Sequence, residues 1–221
     1  MTPNAPIVGI SCDVTSTKLD VGRGYADAVQ RAGGIPVHLA PNIELVSPYL
    51  AMCDALVLTG GDDPTMEPFD APTHPEAKPI HADRQAFELA LLDEAWYADC
   101  PTLGVCLGMQ LMGLHAGAAL HQFLPDVLPT AAEHWNRVEH AVHGEFGSGI
   151  VHSHHRQALA DGGRLDVIMR AHDEVIEGVR APERQSWVGV QWHPERTATP
   201  HLGQHLFDAL VIAARSGTPV A

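Results

Sequence analysis

The 221-residue sequence predicts an α/β fold of three layers, a mainly parallel central sheet flanked by helices. Three observations predict it. Short β-rich runs alternate with helical stretches through the first half of the chain. The strongest glycine motifs directly follow β runs, and open α/β sheets place their sites at strand C-termini. Hydrophobic content is 45 % and charged content 18 %, near globular averages, which sets aside a disordered chain. No repeat or linker divides the sequence. Residues 1–221 therefore read as a single domain, long enough for a substantial core.

The elements follow in order. Ile7 to Ile10 is a buried first strand. Tyr25 to Ala32 is a helix that Gly33-Gly34 ends. Ile35 to Leu39 is a second strand, its proline tolerable near the start. Leu45 to Cys53 is a short helix, and Ala55 to Leu58 a third strand running into Thr59-Gly60-Gly61-Asp62-Asp63-Pro64. The stretch from Asp62 to Pro79 holds five prolines and reads as a long loop, of the kind that is usually functional or mobile. Ala82 to Trp96 is a helix with Phe87, Leu91 and Ala95 on one face. Thr102 to Val105 is a strand and Leu107 to Ala118 a helix. Irregular and strand-like pieces come next. Leu165 to Met169 and Glu174 to Val179 read as a β pair turning at His172-Asp173. Val188 to Trp192 is a last strand, and Leu202 to Ala214 a C-terminal helix.

Charge excludes some partners. The formal net charge is −14, with 15 histidines outnumbering the 13 lysines and arginines. Phosphate binding needs clustered basic residues, and the nearest pair (Arg180, Arg184) is split, so nucleic acid and an anionic membrane surface are not expected. No apolar run has the roughly 18–20 residues of a membrane span. The first residues lack a basic, apolar leader. Four cysteines, none in a CxxC pair, do not make a disulfide scaffold. The expectation is a reduced, cytoplasmic protein.

Three motifs carry chemistry. Gly104-Val105-Cys106-Leu107-Gly108 lies between a buried strand and a helix. A sharp turn there exposes its central side chain, and small residues on either side let backbones approach. A cysteine at that point gains from the helix N-terminus, which favours a thiolate, and the Leu107 N–H can face an oxyanion. Such a nucleophile needs a base and an orienter. Gln191-Trp192-His193-Pro194-Glu195 offers both, because residues i and i+2 of an extended chain share a face and Pro194 keeps His193 extended. Thr59-Gly60-Gly61-Asp62 follows a buried strand, where glycine lets an N–H turn toward a ligand as a second oxyanion donor. Each motif alone is equally well an ordinary turn or buried cysteine; together, at strand ends, they gain force.

With these motifs in view, the sequence resembles the class I glutamine amidotransferase superfamily, a Cys-His-Glu group with a flavodoxin-like α/β fold. Within it the chain most resembles the γ-glutamyl-γ-aminobutyrate hydrolase-like branch, of peptidase C26 type. The likeness runs through Val8-Gly9-Ile10, the Tyr25 to Val29 helix, Thr59 to Asp63, Asp83-Arg84-Gln85-Ala86-Phe87-Glu88, Gly104 to Gln110, His152-Ser153-His154-His155-Arg156-Gln157 and Gly189 to Glu195. The resemblance implies Cys106 as nucleophile, His193 as base and acid, and Glu195 as orienter. It implies oxyanion donors at the N–H groups of Gly61 and Leu107. Gln110 is implied to contact the glutamyl group, and Ser153, His155 and Gln157 to line the substrate pocket; Gly60 and His154 are placed in the same set. His152 stands where the branch usually has asparagine, and the segment from Val142 to Val151 is short, so the rim that selects the leaving amine is altered.

The implied reaction is hydrolysis of a small-molecule γ-glutamyl amide through a γ-glutamyl thioester, with no metal and no organic cofactor. Three other readings stand beside it. One is a glutaminase subunit delivering ammonia to a separate synthase. The second is a metal site at His152, His154 and His155, with His193. The third is a non-catalytic binding protein on the same fold. His134, His140 and His143 are placed near the pocket rim, as groups that could couple activity to pH. The sequence leaves the oligomeric state open, a homodimer included.

Overall fold

The computed structural model describes residues 5–15, 17–184 and 186–216. Nine strands form one sheet: β1 Ile7–Ser11, β2 Ile35–Leu39, β3 Ala55–Leu58, β4 Thr102–Val105, β5 Val138–Gly144, β6 Gly149–Ser153, β7 Asp166–Ala171, β8 Ile176–Arg180 and β9 Trp187–Val190. Their order across the sheet is β2-β1-β3-β4-β9-β8-β7-β5-β6. The first five in that order pair in parallel, and the remaining four continue as antiparallel neighbours.

Five helices cover the parallel half: α1 Arg23–Arg31, α2 Val46–Met52, α3 Ala82–Tyr97, α4 Leu107–His115 and α5 Gln204–Ser216. The central strands β3 and β4 are buried throughout, which is why they read as continuous apolar runs rather than alternating ones. Their successive side chains feed two cores. Leu56 and Leu58 join Phe87, Leu91 and Met109 under α3 and α4. Ala55 and Val57 join Val29, Phe207 and Val211 under α1 and α5. That division makes the three layers. Gly108 is required where α4 meets β3, since a side chain there would collide with the backbone carbonyl of Leu58.

The expected elements are present with shifted ends. α4 stops at His115 instead of running to Ala118, because Gly117 adopts φ +83° and turns the chain. α5 starts at Gln204, after a separate 3₁₀ turn at Pro200–Leu202. The expected β pair is found as β7 and β8. The strand-like pieces before it resolve into the β5–β6 hairpin. The proline-rich loop is pinned at its base: Asp63 N–H donates to the Lys78 carbonyl (2.9 Å), and Ile80 N–H to the Asp63 carbonyl (2.8 Å). Gln85 on α3 accepts the Thr65 N–H (2.8 Å), and Met66 and Ile80 are buried beneath the loop. No helix among the described residues is long and apolar enough to cross a membrane.

Candidate active site

Cys106 follows β4 and caps α4 at φ +53° and ψ −105°. A non-glycine residue in that region carries strain that its surroundings must hold. Here the Cys106 N–H donates to the Val190 carbonyl on β9 (2.8 Å) and its carbonyl accepts from Gln110 N–H (3.1 Å). The side chain is therefore fixed at the C-terminal edge of the parallel strands, over the N-terminus of α4. The Leu107 N–H belongs to the first turn of that helix, whose amides have no partner within the helix.

His193 and Glu195 follow β9, the neighbour of β4. His193 Nδ1 lies 2.9 Å from Glu195 Oε1. A carboxylate only accepts, so Nδ1 carries the proton and Nε2 is left for the thiol. Burial favours the neutral ring, but hydrogen bonds to Cys106 and Glu195, and their charges, outweigh it and raise the His193 pKa to about 9. Glu195 is nearly closed to solvent and also receives Arg196 Nε at 3.1 Å. Gly24 at the start of α1 lies against the Glu195 side chain, where a Cβ would stand 3.0 Å from Cγ. The structure thus brings Cys106, His193 and Glu195 together.

The Thr59–Gly61 turn is held from two sides. The Gly60 N–H donates to the Tyr25 hydroxyl (3.0 Å). A side chain at Gly60 would come within 2.9 Å of His193 Cε1, so glycine is needed for the ring to sit there. On the other side Arg84, fully buried on α3, directs Nη2 to the carbonyls of Thr59 (3.0 Å) and Gly60 (3.1 Å) and to the Thr59 hydroxyl (3.1 Å). Its Nε bonds Glu88, also fully buried, at 3.0 Å. The Gly60–Gly61 peptide has its carbonyl toward Arg84, so across a trans peptide the Gly61 N–H points to the opposite side. This clamp orients the implied oxyanion donor.

The implied pocket residues divide. Gln110 Nε2 reaches Gln191 Oε1 (3.2 Å) and the Gln157 carbonyl (3.4 Å), while Gln191 Nε2 lies 3.5 Å from Cys106 Sγ. Gln157 donates to the Gln122 carbonyl (3.0 Å) and keeps a buried Oε1 without a partner. Ser153 and His155, implied to line the pocket, are engaged with other groups of the chain. Ser153 is fully buried and donates to the His134 carbonyl (3.0 Å). His155 is buried with Nδ1 on the Gln157 carbonyl (2.8 Å) and its other edge toward Glu177. His154 stacks on Trp135 with centroids 4.3 Å apart and accepts the Arg137 N–H; burial and then the His193 charge lower its pKa to about 4. His152 lies beside His193, with ring centroids 6.1 Å apart, and its pKa is lowered by burial and by that neighbour. His134 and His140 are buried rather than rim groups, whereas His143 is exposed.

Sequence reasoning gave no role to Arg84, Tyr25 or Gln191. An arginine and a glutamate four apart on one helix read as an ordinary surface pair, so the sequence held no signal for the first.

Comparison with known proteins agrees with this architecture. The peptidase C26 profile matches residues 6–195. NtpR of Enterococcus hirae is 30 % identical over 211 residues, covering 86 % of this chain and 87 % of that protein. The γ-glutamyl-γ-aminobutyrate hydrolase PuuD of Escherichia coli is 26 % identical over 219 residues, covering 86 % of this chain and 85 % of its own. The crystal structure of a glutamine amidotransferase from Thermotoga maritima superposes with a TM-score of 0.61 at 17 % identity, over 87 % of this chain and 77 % of that one, and shows the shared fold. The chain belongs to the peptidase C26 family of glutamine amidotransferase-like hydrolases, which act on amide bonds.

Proposed function

We propose that the protein hydrolyses the γ-glutamyl amide bond of a small γ-glutamyl amine, of the γ-glutamyl-γ-aminobutyrate or γ-glutamyl-polyamine type, through a thioester on Cys106. The observation that carries the reading is the strained Cys106 elbow facing the His193–Glu195 pair. His193 takes the thiol proton, and the thiolate attacks the γ-carbonyl. Charge builds on the carbonyl oxygen, where the N–H groups of Gly61 and Leu107 are assigned as donors; one such donor typically lowers the barrier by about 2.7–4 kcal/mol. His193 gives its proton to the departing amine. Water, activated by the same ring, then hydrolyses the thioester to glutamate and free thiol. Gln110 is assigned to the glutamyl group. The likeness to PuuD, whose name gives γ-glutamyl-γ-aminobutyrate as its substrate, supports the choice of leaving group. The net charge of −14 favours a cationic amine.

The test is a panel of γ-glutamyl amides (γ-aminobutyrate, polyamine, amino-acid and alkylamine conjugates, and glutamine) with glutamate release as readout. Hydrolysis of γ-glutamyl amines by the isolated chain is expected, with a glutamyl adduct on Cys106 in quenched samples. Activity confined to glutamine, and only beside a synthase, would establish the ammonia-delivering alternative instead.

A further inference from the structure

Behind the pocket wall lies a buried cluster that the proposed reaction does not use. His134 precedes β5, His140 is on β5, His155 follows β6 and Glu177 is on β8. All four are at most 6 % exposed. Glu177 Oε1 lies 3.3 Å from His134 Nδ1, 3.4 Å from His140 Nε2 and 3.3 Å from His155 Nε2. None of these approaches has hydrogen-bond geometry: all three nitrogens and both Glu177 oxygens lack a partner.

The opposite edge of every ring is committed. His155 Nδ1 meets the Gln157 carbonyl (2.8 Å), and His140 Nδ1 the Glu133 carbonyl (3.2 Å). His134 Nε2 meets Asp173 Oδ2 (3.0 Å), which also accepts the Thr130 hydroxyl. Carbonyl and carboxylate oxygens only accept, so each outer nitrogen carries the ring proton. In a neutral ring the inner nitrogen therefore aims a lone pair at Glu177; burial opposes charge on His134, but Glu177 and Asp173 on either side draw that ring toward its charged form. Three lone pairs and an anionic oxygen converging in the interior repel one another, and a single added proton would satisfy one contact and leave two. A divalent cation would satisfy the inner nitrogens of His134 and His155 together with Glu177. Metal-bound histidines almost always donate their other N–H to a carbonyl or carboxylate, as all three do here.

We propose that His134, His155 and Glu177 bind one divalent transition-metal ion, zinc by the chemistry of the donor set, with His140 outside that group and beside its Glu177 member. Imidazole nitrogens with one carboxylate suit zinc. Ligand bonds of about 2.0–2.1 Å in a tetrahedron space donor atoms about 3.4 Å apart. The Glu177–histidine separations match that spacing, and the donor atoms of His134, His155 and Glu177 lie within 4.8 Å of one another. The site is closed to solvent, so its role is structural. It ties together three segments of the antiparallel half and holds the Gln157 carbonyl that Gln110 also meets. It shares only His155 with the metal set considered from sequence, and it stands whether or not the proposed reaction is correct.

The experiment uses untagged protein from zinc-supplemented cells. Metal analysis is expected to give about one zinc per chain. Removal by a strong chelator should lower the thermal midpoint by about 5–10 °C, and stoichiometric zinc should restore it. Cobalt(II) in place of zinc should show the visible bands of a four-coordinate ion. Glu177→Gln and His155→Asn should lose both metal and bands, while Cys106→Ser keeps them. Wild-type protein that holds less than a tenth of an equivalent and whose midpoint is indifferent to chelator and zinc would overturn the proposal, whether or not the variants fold. So would loss of the metal in Cys106→Ser, which would place it in the catalytic cleft.

Discussion

Arg84 offers the sharpest test of how the turn after β3 works. Arg84→Met removes the donors to the carbonyls of Thr59 and Gly60, and frees the Gly60–Gly61 peptide to rotate its N–H away. Loss of one oxyanion donor corresponds to about 2.7–4 kcal/mol, or a kcat lower by about 10²–10³-fold. The same change strands Glu88, which is fully buried, and an uncompensated buried charge costs about 3–5 kcal/mol of stability. The two effects separate in Arg84→Met/Glu88→Leu, where both charges are gone. Its thermal midpoint should recover much of the loss, and kcat should not. Arg84→Lys is the second arm: it keeps the charge beside Glu88, but a single ammonium cannot serve Glu88 and both carbonyls with the spread of a guanidinium. The assay is steady-state hydrolysis of the best γ-glutamyl amide, with kcat and KM resolved and thermal melts alongside. KM should stay within about threefold, since the donor acts mainly on the developing charge. A double variant with near wild-type kcat would show that Arg84 is only the counter-ion of Glu88, and the orientation argument would fail.

Other expectations follow from the same contacts. Cys106→Ala should abolish turnover and the glutamyl adduct, and should remove the main support for the raised His193 pKa and the stability tied to it; residual hydrolysis above a blank would count against the thioester. Glu195→Gln releases the His193 tautomer and should lower kcat by about 10²–10⁴-fold, by analogy with orienter loss in serine triads; little change in kcat would remove Glu195 from the reaction. Gly60→Ala places a methyl 2.9 Å from His193 Cε1 and 3.2 Å from the Tyr25 hydroxyl, and should cut kcat more than stability; the reverse order would contradict the clearance argument. The folded His193 pKa of about 9 lies above the unfolded value of about 6.5, so its contribution to stability is full below pH 6.5 and fades as pH rises through 9. Melts of wild type and His193→Gln from pH 6 to 10 should converge with rising pH; parallel curves would refute the shift.

What could be read from the sequence was local. The Gly104–Gly108 turn holds strand end, nucleophile and helix start within five residues, and His193 and Glu195 share a face two residues apart. The Arg84 clamp joins positions 24 and 25 residues apart, across from α3 to the end of β3, so nothing local announces it. The β5–β6 hairpin was hidden for a different reason. β5 alternates correctly, burying His140 and Val142 and exposing Glu139, Ala141 and His143. A histidine at an inward position disguises the alternation as polar irregularity. That histidine faces Glu177, which lies on β8 with β7 between it and the hairpin, an approach that no local pattern announces. The contacts of Ser153 and His155 were hidden on the same ground, since their partners, the His134 carbonyl and Glu177, come from segments remote in sequence.

The two histidine groups use one device for opposite ends. In both, an oxygen acceptor holds the outer nitrogen and so fixes which nitrogen faces inward: Glu195 for His193, and Asp173, the Glu133 carbonyl and the Gln157 carbonyl for His134, His140 and His155. What the inner nitrogen meets then decides the chemistry. His193 meets a thiol, which has a proton to give, so the pair can become thiolate and imidazolium and the ring works as a base. The other three meet a carboxylate, which at neutral pH has no proton to give, and they meet it together. One proton, on His134 between its two carboxylates, leaves the other rings unsatisfied against the same anion; a cation from outside would serve them together. The tautomer-fixing contacts of the second group would be wasted on a proton reservoir, where either nitrogen could titrate, but they are what a metal ion requires of its ligands.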